Sequence, residues 1–168
     1  MPDYYGTEAG LEAYAEARGI VLTEGADPIA ALIRSSTWID ANWGSQFSGY
    51  KTGGRTQLRA FPRTGAYYNL GGDVTELIPT DEIPVELDNA TYEGAILEMA
   101  TPGVLQPIVT PSKAIKKVAI EGAVSVEFAN TGTYDSAPVI TSVEGILAPL
   151  FTSITNDGSG LYGTAYRV

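Results

Sequence analysis

From residue 44 to residue 82 the chain carries seven glycines and two prolines and shows no helical period. No other feature limits its fold as much. A stretch of that length without regular structure inside a compact domain is expected to be functional, usually a binding loop. The sequence therefore reads as helices that hold a long loop, 44–82, between them. The helices mark their own ends. Thr7 caps a segment running to about Arg18, with Leu11, Tyr14 and Ala15 on one face and Gly19 as the stop. Asp27 followed by Pro28 opens a second helix. Its apolar positions Ile29, Leu32, Ile33, Ser36, Ile39 and Trp43 lead to Gly44. A third helix is expected from Pro84 to about Met99, with Ile83, Leu87, Ala90, Gly94 and Leu97 or Glu98 on one side, until Thr101-Pro102-Gly103 breaks it.

Beyond a proline-containing connector, residues 114–129 alternate as a hairpin around Glu121-Gly122. Two strands alone are marginal in water, so this hairpin must pack on the helices or on another subunit. Val143, Ile146, Leu147 and Leu150 predict a short fourth helix entered near Ser142. The remaining polar, Gly-rich end has no core pattern but keeps Leu161, Tyr162 and Tyr166. The expected fold is mainly α: a small helical bundle with a β-hairpin (domain 1–151) and an extended C-terminal arm, 152–168.

With 168 residues, one domain with its own core is expected. The chain has no histidine and no cysteine. Imidazole triads, thiolate chemistry and the usual zinc sites are thereby excluded. Adjacent Asp81 and Glu82 read as helix-start charges rather than a metal site. No enzyme, cofactor or metal is expected. Neither a membrane-crossing segment nor the layout of a signal peptide is present in the sequence, so an intracellular product is expected.

Charge falls in blocks. The net charge is −10; residues 41–72 carry four bases and no acid, and residues 73–98 carry eight acids and no base. Lys51, Arg55, Arg59 and Arg63 form the basic group, interleaved with Tyr50, Phe61, Tyr67 and Tyr68. That mixture is the composition of a stacking platform for single-stranded nucleic acid. Against it stands the overall charge, because phosphate neutralisation supplies most non-specific affinity. A solvated loop, or a surface facing the acidic block of a neighbouring copy, accounts for the same residues.

The order of short motifs carries a resemblance. LEAYAEARG (11–19), STWIDANW (36–43), QLRAFPRTG (57–65), IPTDEIPVELDNATYEGAI (78–96), EGAVSVEFA (121–129) and ILAPLF (146–151) resemble a family of tailed-phage proteins labelled DnaT-like single-stranded DNA-binding proteins, whose products resemble head-to-tail adaptors. The resemblance runs up to residue 151. It implies a structural virion protein: a ring of about twelve copies, made in the host cytoplasm, that docks on the portal and links the capsid to a tail or stopper protein while DNA passes through. The acidic charge suits a lumen that does not retain phosphates. On that reading Lys51, Arg55, Arg59 and Arg63 face Glu86 and Glu93 of the next subunit, and Leu161, Tyr162, Tyr166 and Arg167 bind the portal. The alternative is a single-stranded DNA-binding protein that uses the basic group and its tyrosines.

Overall fold

The structure, a computed structural model, describes residues 3–71, 74–105 and 141–152, and the backbone of two short strands at 118–120 and 124–126. Four α-helices run Glu8–Glu16 (α1), Pro28–Trp43 (α2), Val85–Ala100 (α3) and Thr141–Leu147 (α4). Their starts follow the expected chemistry. The Thr7 hydroxyl accepts from the Gly10 N–H and the Asp27 carboxylate from that of Ala30, each satisfying a first-turn donor. Pro28 and Pro84 stand at the entries of α2 and α3.

Helices α2 and α3 pack closely. A Cβ on Gly94 of α3 would strike the Ser35 hydroxyl of α2, which itself donates to the Thr91 carbonyl at 2.8 Å. Buried Leu11, Tyr14, Ala31, Leu32, Tyr92, Ala95 and Met99 form one cluster between α1, α2 and α3. A second cluster joins Tyr5, Trp38, Ile39, Trp43, Phe47, Phe61 and Leu87 to Leu147 and Leu150.

The facing of α2 corrects one expectation. Ile29 is exposed while Trp38 is buried. The apolar stripe of α2 is thus centred on Ala31, Ser35, Trp38 and Ile39, because two clusters claim it from different sides. On α3, of the two alternatives Leu97 and Glu98, it is Glu98 that goes inside. Its carboxylate meets Arg34 at 2.7 Å and accepts from the Gly103 N–H at 2.8 Å.

The long loop is also corrected. Segment 44–82 holds two small antiparallel sheets: Tyr50–Lys51 (β1) with Arg63–Thr64 (β2), and Tyr67–Gly71 (β3) with Val74–Leu77 (β4). A 3-10 turn spans Gly54–Thr56. Period-two alternation needs several residues to be visible, and strands of two residues have none. The returning chain closes the segment: Phe47 and Phe151 form a bridge, and the Thr152 N–H donates to the Gln46 carbonyl at 2.7 Å.

The expected hairpin is present as Val118–Ile120 (β5) and Val124–Val126 (β6), antiparallel with Ala119 opposite Ser125. The arm beyond Thr152, with Leu161, Tyr162, Tyr166 and Arg167, lies outside the described residues.

Candidate functional site

The four residues of the basic group meet different fates. Arg63 is 8% exposed. Its Nε donates to the Ser48 carbonyl at 2.7 Å and its Nη2 to those of Gly49 at 2.6 Å and Phe47 at 3.1 Å. Nη1 adds a bond to the Ala60 carbonyl at 3.3 Å. A planar guanidinium can serve four carbonyls at once, and a lysine cannot. Burial pulls its pKa below the ordinary value. Arg59, equally buried, donates to the Asp3 carbonyl through Nε and Nη2 and to the Thr37 hydroxyl through Nη1, and lies 3.5 Å from Asp40.

Asp40 ties this region together. One carboxylate oxygen accepts from the Tyr5 hydroxyl at 2.7 Å and the other from the Ala60 N–H at 3.2 Å. Burial raises the Asp40 pKa against the lowering effect of these bonds and of Arg59. Tyr5 is raised strongly by burial and then by Asp40. Arg59 and Arg63 are therefore internal fasteners, and the expected basic surface is corrected accordingly. Arg63 is spent on the backbone carbonyls of residues 47–49 and 60, and Arg59 on the Asp3 carbonyl, the Thr37 hydroxyl and Asp40.

Lys51 is half-buried and Arg55 is exposed. The Lys51 ammonium donates to the Gln57 carbonyl at 3.0 Å, and Arg55 stands in the 3-10 turn. Between them the loop is braced by Gln57, whose amide oxygen accepts from the Gly53 N–H at 2.8 Å while its nitrogen donates to the Arg59 and Pro62 carbonyls, both at 3.0 Å. Gln57 is a residue that sequence reasoning missed, since nothing about a glutamine in a Gly-rich stretch reveals such a brace.

The aromatics divide in the same way. Phe61 is buried and packs edge-on against Phe47, with ring centres 5.2 Å apart. Tyr67 and Tyr68 are half-buried. Tyr50 is 66% exposed. What remains at the surface is one exposed ring, Tyr50, adjoining Lys51 and the turn that carries Arg55.

The acids proposed opposite them are placed apart from one another. Glu93 accepts from the Tyr14 hydroxyl at 2.8 Å and lies 3.7 Å from Arg18, so it stitches α3 to α1. That contact, behind burial, pushes the Tyr14 hydroxyl up to about 12. Glu86 is half-buried at the start of α3. Among the described residues no group of three or more acidic side chains could hold a metal ion, and no helix is long and apolar enough to cross a membrane.

A family model described as "Putative DnaT-like ssDNA binding protein" matches residues 2–168, and the chain belongs to that family. The match takes in the C-terminal segment that the motif resemblance did not reach. It overturns the reading of the chain as a head-to-tail adaptor and with it the placement of the protein in the virion. The family is one of binding proteins, in keeping with a chain that lacks histidine and cysteine. No curated protein and no solved structure matches.

Proposed function

We propose, for a chain that belongs to this DnaT-like family, that the protein binds single-stranded DNA, with the Tyr50–Thr56 loop as the contact. The family match over residues 2–168 carries the reading, and the exposed Tyr50 beside Lys51 and Arg55 gives it a chemical form. A tyrosine face stacks on any base, so a single strand whose bases are free is the substrate class that this surface suits. The two cations meet the flanking phosphates. Bracing by Gln57 fixes the loop beforehand, which lowers the ordering cost of binding.

The net charge of −10 sets the strength of the interaction. With about two phosphates neutralised, affinity should fall roughly sevenfold between 50 and 200 mM salt, and the Kd at physiological salt should sit near 10⁻⁴ to 10⁻⁶ M. Fluorescence anisotropy with a labelled oligothymidylate tests this. Saturable binding that disappears in the double variant Tyr50→Ala/Arg55→Glu is the expected result. No binding at 50 mM salt, or binding indifferent to that variant, would reject the reading.

A further inference from the structure

The other exposed feature of segment 44–82 is apolar and acidic. Leu70, Val74, Leu77 and Val85 are each more than half exposed, Leu77 at 75%. Beside β4 and the start of α3 lies an open groove of about 550 Å³, its apolar wall including Leu77, Ile83 and Val85. Four carboxylates, Glu76, Glu82, Glu86 and Asp88, line it, and no basic residue does. One Asp88 oxygen is enclosed and has no hydrogen-bond partner among the described residues.

Tyr68 and Leu70 of β3 line the groove as well, so it lies against a face of the hairpin, and β4 adds a strand edge. β4 pairs with β3 on one side, and no described strand lies on the other. All four β4 residues are exposed. The flank of β3 is covered instead, since the Asn69 amide donates to the Pro149 and Phe151 carbonyls at 3.1 and 2.8 Å. An open edge with apolar side chains and no lysine or proline to guard it is a template for an added strand.

An occupant must be extended, basic and apolar at intervals. The chain contains such a segment: residues 113–120 read Lys-Ala-Ile-Lys-Lys-Val-Ala-Ile, three lysines and no acid. Its last three residues are β5, which among the described strands pairs only with β6, as β4 pairs only with β3. We propose that β5 of a second copy adds to the free edge of β4, with Lys113 and Lys117, which share one face of an extended strand, meeting the carboxylates of the groove. Two hairpins of two strands, each marginal alone, become one sheet of four. Groove and strand are different surfaces, so the contact is head-to-tail and copies add in succession.

The experiment needs no DNA, so its outcome is separate from that of the single-strand reading. Sedimentation equilibrium of the full chain should show mass rising with concentration. Glu82→Lys/Glu86→Lys and Lys113→Glu/Lys117→Glu should each be monomeric, and mixing the two variants should restore association through the one interface whose charges again oppose. A synthetic peptide of residues 113–120 should dissociate the wild-type protein, while a peptide with glutamates in place of its lysines should not. That arm holds even if a variant fails to fold. A wild-type chain that stays monomeric at all concentrations overturns the proposal, as does association that neither peptide nor charge reversal alters. Peptide binding without self-association overturns it too, by assigning the groove to another occupant.

Discussion

Arg55 and Arg63 stand eight positions apart in one basic stretch, and the fold uses them in opposite ways. Around Arg63 the backbone of residues 47–49 and 60 turns its carbonyls inward, and one guanidinium satisfies four of them. Around Arg55 the backbone closes its own 3-10 turn, with the Gln57 N–H donating to the Gly54 carbonyl, and the charge is left to solvent. Identical side chains thus become a structural fastener or a solvent-facing cation according to whether the nearby main chain has met its own hydrogen-bond demand. Gly-rich segments with very short strands create such demand, and long-reaching arginines meet it.

This contrast yields measurable differences. The largest effect is expected for Arg63→Ala. Leaving buried acceptors unpaired costs about 1–3 kcal/mol for each group that water cannot reach, so the urea midpoint should drop by the equivalent of roughly 3 kcal/mol or more. Arg63→Lys should recover little of it, because a point charge cannot span four carbonyls. Arg55→Ala should stay within about 0.5 kcal/mol of wild type. Comparable losses for Arg55→Ala and Arg63→Ala would break the comparison.

Tyr50→Ala comes next, with the sign of the comparison reversed: melting unchanged, but affinity for oligothymidylate lowered by the ~1–3 kcal/mol of one base–aromatic stack. Phe61→Ala, by contrast, should unfold the segment, since its ring fills the core beside Phe47. Loss of binding without loss of stability in the Tyr50 variant is the discriminating outcome. A smaller effect is expected for Lys51→Gln/Arg55→Gln. The slope of log affinity against log salt should flatten by about 1.4, which is ~0.7 for each phosphate that the variant no longer neutralises; an unchanged slope would place the phosphates elsewhere.

The smallest effect concerns pH and again separates the fastened half. Asp40 has its pKa raised by burial when folded, as does Asp88 at the start of α3. The folded chain therefore holds these protons more tightly than the unfolded chain. Their contribution to stability is complete below the ordinary carboxylate range and is lost as pH rises through the raised values. Thermal melts should accordingly shift upward as pH falls from 7 towards the ordinary carboxylate range of about 4, and Asp40→Asn should shrink that rise. A melting temperature that falls over the same interval would contradict the assignment of Asp40 as a destabilised buried carboxylate.

Local chemistry was legible in advance. Thr7, Asp27 and Pro28 announce helix starts because their side chains act on groups within three residues. Gly19 and Gly44 mark the stops, and strict alternation from Val118 to Val126 announces a hairpin. The mixture of Lys51, Arg55, Arg59 and Arg63 with Tyr50, Phe61, Tyr67 and Tyr68 was visible in composition, but which of them the fold would bury was not. The two sheets within 44–82 were not legible, since pairs such as Tyr50 with Thr64 and Tyr67 with Leu77 are too short to show a period.

By itself, then, the sequence determined where helices begin and end, that one hairpin follows them, and that imidazole and thiol chemistry are absent. Only the tertiary structure decided that Glu98 goes inside with Arg34, that Trp38 rather than Ile29 faces the core, and that Arg59 and Arg63 are fasteners while Arg55 faces water and Lys51 ties back to the Gln57 carbonyl. The reason is one of range. Caps and stops are settled by groups a turn away, whereas the fate of a charged side chain depends on which carbonyls, carboxylates and rings arrive from distant parts of the chain: Asp3 and Thr37 for Arg59, Phe47 and Ser48 for Arg63.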